Sequence, residues 1–402
     1  MVTVRRLAVP AALLALVFAA PTGAQTTPVG RRLARALAVP HVSAAATGAV
    51  AFDLLTGQTL YSQNPSASLA PASNEKLPLT YAALATLGPS FRMETEVLGV
   101  GRQEGAVWRG RLVLKGYGDP TLSSADVRYL AARVRATGIR RITGGVAGDE
   151  TWFDSVRTAP GWKPSFYIDE SPPLSALAVD RDRVHGTVSR APGLAAAQVF
   201  REALVAGGVT VAGAATLGKG DELALPLASV RSPTLAALIQ FMDRESDNYT
   251  AELLLKELGA VETGHGTTAA GAAVVTNTLA AAGVPLAGVR IVDGSGLSRL
   301  DRLTANALLA ILQQSWADPD VKASLLAALP VAGVSGTLHH RLRRAPARGN
   351  VLAKTGTTLE ASALSGYVRG RYVFAVLQNG HPLSYYWARI AQDRFASVLA
   401  AQ

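Results

Sequence analysis

Pro71 Ala72 Ser73 Asn74 Glu75 Lys76, followed by the apolar run Leu77 to Leu87, decides what this chain can be. Ser73 and Lys76 lie three apart, so on a helix they project from one face with the amine in reach of the hydroxyl. A serine hydroxyl attacks only when a neighbour takes its proton, and a lysine does so only with its own pKa pushed down. Burial or a second cation supplies that push. A lone Ser-x-x-Lys is usually a helix cap beside a solvated side chain. Here lysine is scarce beside arginine, and no other lysine has a serine three positions before it. Pro78 is awkward in the following helix, because past the first turn it loses a backbone hydrogen bond. A kink is expected just after Lys76, with the Ser73 to Lys76 turn intact.

Outward from that stretch, 402 residues predict two or three domains, and 49% hydrophobic with 17% charged residues is a globular balance. The net charge of +10 attracts anions. The arginines are spread without a basic block or aromatic-basic interleave, so nucleic acid is not an expected partner, whereas anionic envelope polymers suit the charge. Arg5 and Arg6 precede an apolar run, Leu7 to Ala20, and small residues follow to Ala24. This predicts a signal peptide over 1–24 and an exported protein, periplasmic or extracellular, without a transmembrane span in the mature chain. With no cysteine it is not a lipoprotein, a thiol enzyme or a disulfide scaffold.

Along the chain, Arg31 to Val39 reads as a short helix, and Thr47 to Leu55 with Thr59 to Ser62 as a hairpin around Gly57. The middle third alternates strand-like pieces (Ala106 to Lys115, Ile139 to Gly148, Val209 to Leu217) with helices at Ala125 to Ala136 and Phe200 to Val205. Trp152 to Pro173 reads as an ordered loop. Helical periodicity then runs through Thr234 to Leu258, Thr267 to Ala282 and Thr304 to Ser315. Three strands close the chain (Val351 to Thr357, Ala363 to Val368, Tyr372 to Gln378), with a final helix at Tyr385 to Ala400. The expected architecture is α/β of the α+β kind: one antiparallel sheet sandwiched by helices, the amino-terminal hairpin pairing with the carboxy-terminal strands.

Three motifs stand in chain order: Ser73 Asn74 Glu75 Lys76, then Ser246 Asp247 Asn248, then Lys354 Thr355 Gly356 Thr357. This is the motif set of class A β-lactamases and penicillin-binding proteins. Alone, the second reads as a cap or surface turn and the third as a charged strand end. Jointly they fill every role of an acyl transfer. The flanking words Gly118 Asp119 Pro120 Thr121 Leu122, Ala251 Glu252, Asp293 to Arg299 and Ala363 Leu364 Ser365 Gly366 Tyr367 narrow the match. Together they resemble the D-alanyl-D-alanine carboxypeptidase and endopeptidase family of low-molecular-mass, class C penicillin-binding proteins. The resemblance covers nearly all of the mature chain. It implies a transpeptidase-like core at 25–92 and 226–402, an inserted domain at 93–115 and 184–225, and a smaller one nested at 116–183.

The resemblance implies roles residue by residue. Ser73 is the acylated nucleophile of peptidoglycan stem peptides and of β-lactams, Lys76 takes its proton, and Ser246 relays a proton toward the leaving amine. Asn248 holds the substrate amide and contacts Lys76. Lys354, on an edge strand, keeps Lys76 deprotonated, and Thr355 binds the substrate carboxylate. Gly356 lets the substrate backbone lie against the strand, and the amides of Ser73 and Thr357 form the oxyanion hole. No cofactor or metal is implied. Family members that grip the amine of a diaminopimelate side chain place an acid just after the Gly-Trp pair. Here Gly161 Trp162 precedes Lys163, and Asp169 is the residue left to replace that acid. Arg299 matches a position near the same pocket, so diaminopimelate-type stems are expected to be favoured through their carboxylate.

Rival readings are weaker. There is no Gly-x-Ser-x-Gly elbow and no His-Glu-x-x-His, and His339 His340 are adjacent. A β-lactamase-like hydrolase lacks the Glu-x-x-Leu-Asn segment that would activate a deacylating water. A non-catalytic cell-wall-binding or scaffolding protein has no need of an activated serine. Carboxypeptidase and endopeptidase action stay open, since both attack a D-alanyl carbonyl.

Overall fold

The computed structural model describes residues 27–402 apart from 185 and 222; the expected signal peptide lies outside the described residues. The chain opens with α1 (Pro28–Leu37), β1 (Thr47–Asp53), β2 (Gln58–Gln63), a 3-10 turn (Ala72–Glu75) and α2 (Lys76–Leu87). Then come β3 (Glu94–Glu104), β4 (Val107–Gly116), α3 (Ser124–Ala136), β5 (Arg141–Ile142) and β6 (Val146–Asp149). β7 (Arg183–Val184), β8 (Thr187–Val188), α4 (Pro192–Ala206), β9 (Thr210–Val211), β10 (Ala215–Leu217) and β11 (Leu225–Arg231) follow. Next are α5 (Leu235–Glu245), α6 (Asn248–Thr263), α7 (Thr268–Ala281), α8 (Ala305–Ala317) and α9 (Pro319–Ala328). The chain closes with β12 (Val351–Thr357), β13 (Ala361–Val368), β14 (Tyr372–Asn379) and α10 (Tyr385–Ala400).

Five strands form an antiparallel sheet in the order β12-β13-β14-β1-β2, so the amino-terminal hairpin does pair with the last strands. Both faces are covered, and the alternation along β14 shows it. Phe374 and Val376 pack with Leu33, Phe395 and Leu399 of α1 and α10. Val373, Ala375 and Leu377 pack with Leu77, Leu308 and Leu312 of α2 and α8. Each of the Val, Leu and Phe side chains contributes roughly 1.5–3 kcal/mol by leaving water. Beyond α2, an all-helical layer of α5, α6, α7 and α9 closes over Leu79, Leu84, Ile239, Leu254 and Val275.

The middle third builds a seven-stranded mixed sheet, β10-β6-β4-β3-β11 with β5 and β9 beside it. α3 begins with a reciprocal Ser123–Asp126 capping box, and its buried face joins Val97, Trp108 and Phe200 in one core. α3, β5 and β6 fall within the stretch expected to be nested at 116–183, yet they share this core with β3 and β4. The part of that stretch outside the sheet is the long loop after β6. Its Phe153, Leu174 and Ala176 pack on Tyr249 and Leu253 of α6. β11 carries the inserted sheet to Arg231, past the expected boundary at 225.

Two expectations about helices are corrected. Pro78 causes no interior break, because α2 starts at Lys76 and Pro78 sits in its first turn, where an amide has no intrahelical partner to lose. The change from 3-10 to α winding falls at Lys76 itself. The helix expected through 234–258 is two helices, parted at Ser246, whose φ of 62° is left-handed.

Candidate active site

The Ser73 turn is held from two sides. Asn74 Nδ2 donates to the Lys354 carbonyl at 3.0 Å, tying the turn to β12. On the other side Gly296 (φ +81°) comes so close that a Cβ there would lie 2.0 Å from the Ala72 carbonyl oxygen. Lys76 is fully buried and points back along the turn. Its Nζ is 3.3 Å from Ser73 Oγ and donates to Asn248 Oδ1 at 2.9 Å and to the Ser295 carbonyl at 2.8 Å.

The break between α5 and α6 is what lets both ends of the second motif reach the cleft. Ser246 Oγ accepts from Lys354 Nζ at 2.8 Å, and Asn248 contacts Lys76. Between them Asp247 caps α6 by accepting from Thr250 N at 2.8 Å. Its carboxylate also takes both Nη atoms of Arg181, at 2.8 and 3.0 Å. Arg181 is carried there by three successive left-handed residues, Asp180, Arg181 and Asp182. Such a run costs on the order of 1 kcal/mol per residue and persists only where the surroundings impose it.

The third motif lies on β12, an edge of the sheet. Lys354 is fully buried and also donates to the Thr355 carbonyl, and Thr355 Oγ1 donates to Thr337 Oγ1 at 2.7 Å. Gly356 has a further reason in the structure: a Cβ there would meet Pro71 O at 2.8 Å and Ser73 N at 3.1 Å. The glycine lets β12 approach the nucleophile's own turn. Ser73, Ser246, Thr355 and exposed Thr357 line one cleft of about 320 Å³ with Thr337 and Arg389.

Burial pushes the Lys76 pKa down, against the pull of Asp293, Asp243, Glu252 and Asp247. Burial and then the Lys76 charge bring Lys354 down to about 7. The repulsion expected to act on Lys76 therefore shows on its partner, while the acids favour the Lys76 ammonium. Beneath the lysines lies a carboxyl cluster. Burial, then Asp293 and Glu252, hold Glu75 well above the usual range, with both its oxygens unbonded among the described residues. Burial and Asp293 raise Glu252 to about 8, and its Oε1 accepts from Gly294 N and Ser295 N. Asp293 accepts from Ser295, Gly296 and Ser298 amides and from Trp162 Nε1. These bonds fix the loop whose carbonyl holds Lys76.

A second pocket, also about 320 Å³, opens on the other side of the turn, lined by Ala72, Lys163, Phe166, Arg299, Arg302 and Glu360 among others. Arg299 sits there half-exposed, paired with Glu360 at 2.8 Å. Asp169 does not join it. Left-handed Ile168 turns the loop so that Asp169 is exposed outside both pockets, and its neighbour Glu170 offers its carbonyl to Asn248 Nδ2 at 3.3 Å. Among the described residues no group of three or more His, Asp or Glu side chains is placed to hold a metal ion. Sequence reasoning missed Ser295, Thr337, Glu170 and Arg181. Only Ser295 carried a signal, as part of the Asp293 to Arg299 word.

Against known proteins, the D-Ala-D-Ala carboxypeptidase 3 (S13) family profile matches residues 29–194 and 189–402. The chain belongs to this family. It is 33% identical to a D-alanyl-D-alanine carboxypeptidase of an Actinomadura species, over 90% of this chain and 82% of that one. A carboxypeptidase from Mycobacterium tuberculosis is 36% identical over 81% and 75% of the two chains. In fold, this S13 chain resembles penicillin binding protein 4 of Haemophilus influenzae, with a TM-score of 0.81 at 22% identity, covering 93% and 98%. That protein has also been solved with a β-lactam bound.

Proposed function

We propose that Ser73 Oγ attacks the penultimate D-alanyl carbonyl of a peptidoglycan stem peptide, forming an ester as the C–N bond to the terminal D-alanine breaks. Family membership makes the chain a serine-type D-alanyl-D-alanine carboxypeptidase; the roles of its side chains are our reading. Lys76 takes the Ser73 proton. Ser246, bonded to Lys354, delivers a proton to the departing amine, and water then hydrolyses the ester. Asn248 holds the acyl-side amide, Thr355 the terminal carboxylate, and the Ser73 and Thr357 amides the oxyanion. One observation carries this: a fully buried lysine amine 3.3 Å from Ser73 Oγ, with a second buried lysine on Ser246 of the same cleft. A wall-binding scaffold would gain nothing from two lysine amines held out of water.

β-Lactams acylate the same oxygen, and without a dedicated deacylating carboxylate the penicilloyl ester turns over slowly. The three cations of the second pocket, Lys163, Arg299 and Arg302, support a subsite for a side-chain carboxylate, facing Glu360. Asp169 is left out of the proposed site. The separate cores of the two sheets support a catalytic core at 25–92 and 226–402 with an insertion between, and the leader-like start supports export. No helix among the described residues is long and apolar enough to cross a membrane. Intact-mass spectrometry with a labelled penicillin tests the reading: label on Ser73 of the wild type, none on Ser73→Ala, and D-alanine release lost with it. Label at another residue refutes it.

A further inference from the structure

Three cavities neighbour one another on the Ser73 side of the molecule. The second pocket reaches Ala72 and Thr358; the cleft holds Ser73, Ser246 and Thr355; and a third groove, about 1000 Å³, shares His340 and Arg341 with the cleft. On the reading above, Ser246 gives the leaving group its proton. The cleft beyond Ser246, toward Thr337 and His340, is therefore the leaving side, and the third groove continues it.

That groove is cationic and uncompensated. Arg32 and Arg35 enter it from α1, Arg343 and Arg344 from the loop before β12, and Arg394 from α10. All five are exposed, and none has a carboxylate within ion-pair distance among the described residues. Asp393, the one acid in the lining, is taken by Arg341 at 2.7 Å. The five arginines come from three segments far apart in sequence, so no basic run accounts for them. The packing of α1 along α10 brings them together. A departing D-alanine occupies the cleft at most, and a groove three times larger lies beyond its reach. What extends from the cleft into such a groove is a longer leaving group with carboxylates spaced along it, matched by guanidinium forks.

We infer that this arginine groove binds the acidic peptide strand that departs when the site cuts a cross-link between two stem peptides. The step rests on the acyl-enzyme reading and keeps its chemistry. Ser73 Oγ bonds to the D-alanyl carbonyl carbon, the C–N bond to the second stem's side-chain amine breaks, and that amine takes the proton in place of D-alanine's. Water then frees the acyl strand. Guanidinium groups take phosphate as readily as carboxylate, but an occupant of this groove is continuous with the bond being cut. That favours the second stem over a separate phosphate polymer.

The test compares kcat/KM for a purified cross-linked stem-peptide dimer with kcat/KM for D-alanine release from a monomeric pentapeptide, in wild type and in Arg343→Gln/Arg344→Gln/Arg394→Gln. The dimer-to-monomer ratio is expected to fall about tenfold in the variant, mainly through the KM of the dimer. Raising salt should depress dimer cleavage more steeply than monomer cleavage in the wild type, and lose that difference in the variant. Arg394→Glu alone, a milder burden on folding, should move the ratio the same way. An unchanged ratio and salt response overturn the groove assignment, as does tight binding of polyphosphate that leaves dimer cleavage unaffected. Penicillin labelling of Ser73 and D-alanine release report separately on the site: if both fail, the acyl-enzyme reading fails, and if both hold with an unchanged ratio, only the groove does.

Discussion

Arg181→Ala cuts a bidentate ion pair that joins the inserted region to the second motif. Asp247 is held by burial, which raises its pKa, and by the Arg181 bonds and charge, which outweigh burial and keep the carboxylate below its usual range. Removing one partner of a fully buried pair costs about 3–5 kcal/mol. The Arg181 side chain is 33% exposed, so water can reach Asp247, and about 1–3 kcal/mol is the reasonable discount. Lost stacking over Phe241 and Tyr249, each ring 5.4 Å away, belongs to the same figure. Asp247 caps the helix that Asn248 begins, so a shift of this carboxylate displaces the side chain bonded to Lys76. If the cost appears in the transition state, acylation slows about 5- to 140-fold at 1.4 kcal/mol per decade. Stopped-flow acylation by a fluorescent penicillin measures this, with Tm alongside and Asp247→Asn to close a double-mutant cycle. A variant that acylates at the wild-type rate, whatever its Tm, refutes the argument that Arg181 positions the motif.

Because burial lowers both lysines, with Lys354 at about 7, the acylation rate should climb with pH through neutrality to a plateau. A flat profile between pH 5.5 and 9 would exclude a neutral amine as base. Lys76→Arg should lose at least a thousandfold in acylation, since a guanidinium keeps its proton; an active variant rejects the role. Glu257, raised to about 8 by burial against the Trp152 bond, ionises near 4.5 when unfolded. Between those values the native state binds the extra proton, so this contribution is full below pH 4.5 and fades as pH rises toward 8. Glu257→Gln should then stabilise by up to about 3 kcal/mol at pH 7 and by little at pH 4.5, and urea melts showing the same gain at both would refute the burial argument. Arg299→Ala should erase a preference for stem peptides bearing the side-chain carboxylate, read as steady-state rates on matched peptides; an unaltered preference makes Arg299 structural.

The three motifs and the strands and helices that carry them were legible because each is written locally: a Ser-x-x-Lys spacing, a period of two, a period of 3.6. The closing helix at Tyr385 to Ala400 was legible for the same reason. What escaped depends on contacts between distant segments. The periodicity of 234–258 continues through Ser246, yet the chain turns left-handed there, where Asp247 meets Arg181 and Ser246 meets Lys354. α9 starts at Pro319 behind the Asp318 cap, a signal that was present but overlooked. The packing of Gly356 against the Ser73 turn was not legible because nothing local says that the turn lies under that strand. The carboxyl cluster beneath the lysines comes from Glu75, Glu252 and Asp293, three positions that no single window of sequence contains.

The pairing of β1 with β14 has a consequence in time. Thr47 to Asp53 are hydrogen-bonded to Tyr372 to Gln378, and β2 hangs from β1 alone. A ribosome that has delivered Ser73 and Lys76 has therefore not yet supplied the strands against which their sheet is built. The inserted sheet, drawn entirely from residues between Glu94 and Arg231, is complete far sooner and can close around its own apolar side chains. Lys354, which holds Ser246 and follows the nucleophile by some 280 residues, arrives nearly last. A growing chain thus carries its serine long before the strands and the Lys354 amine that surround it.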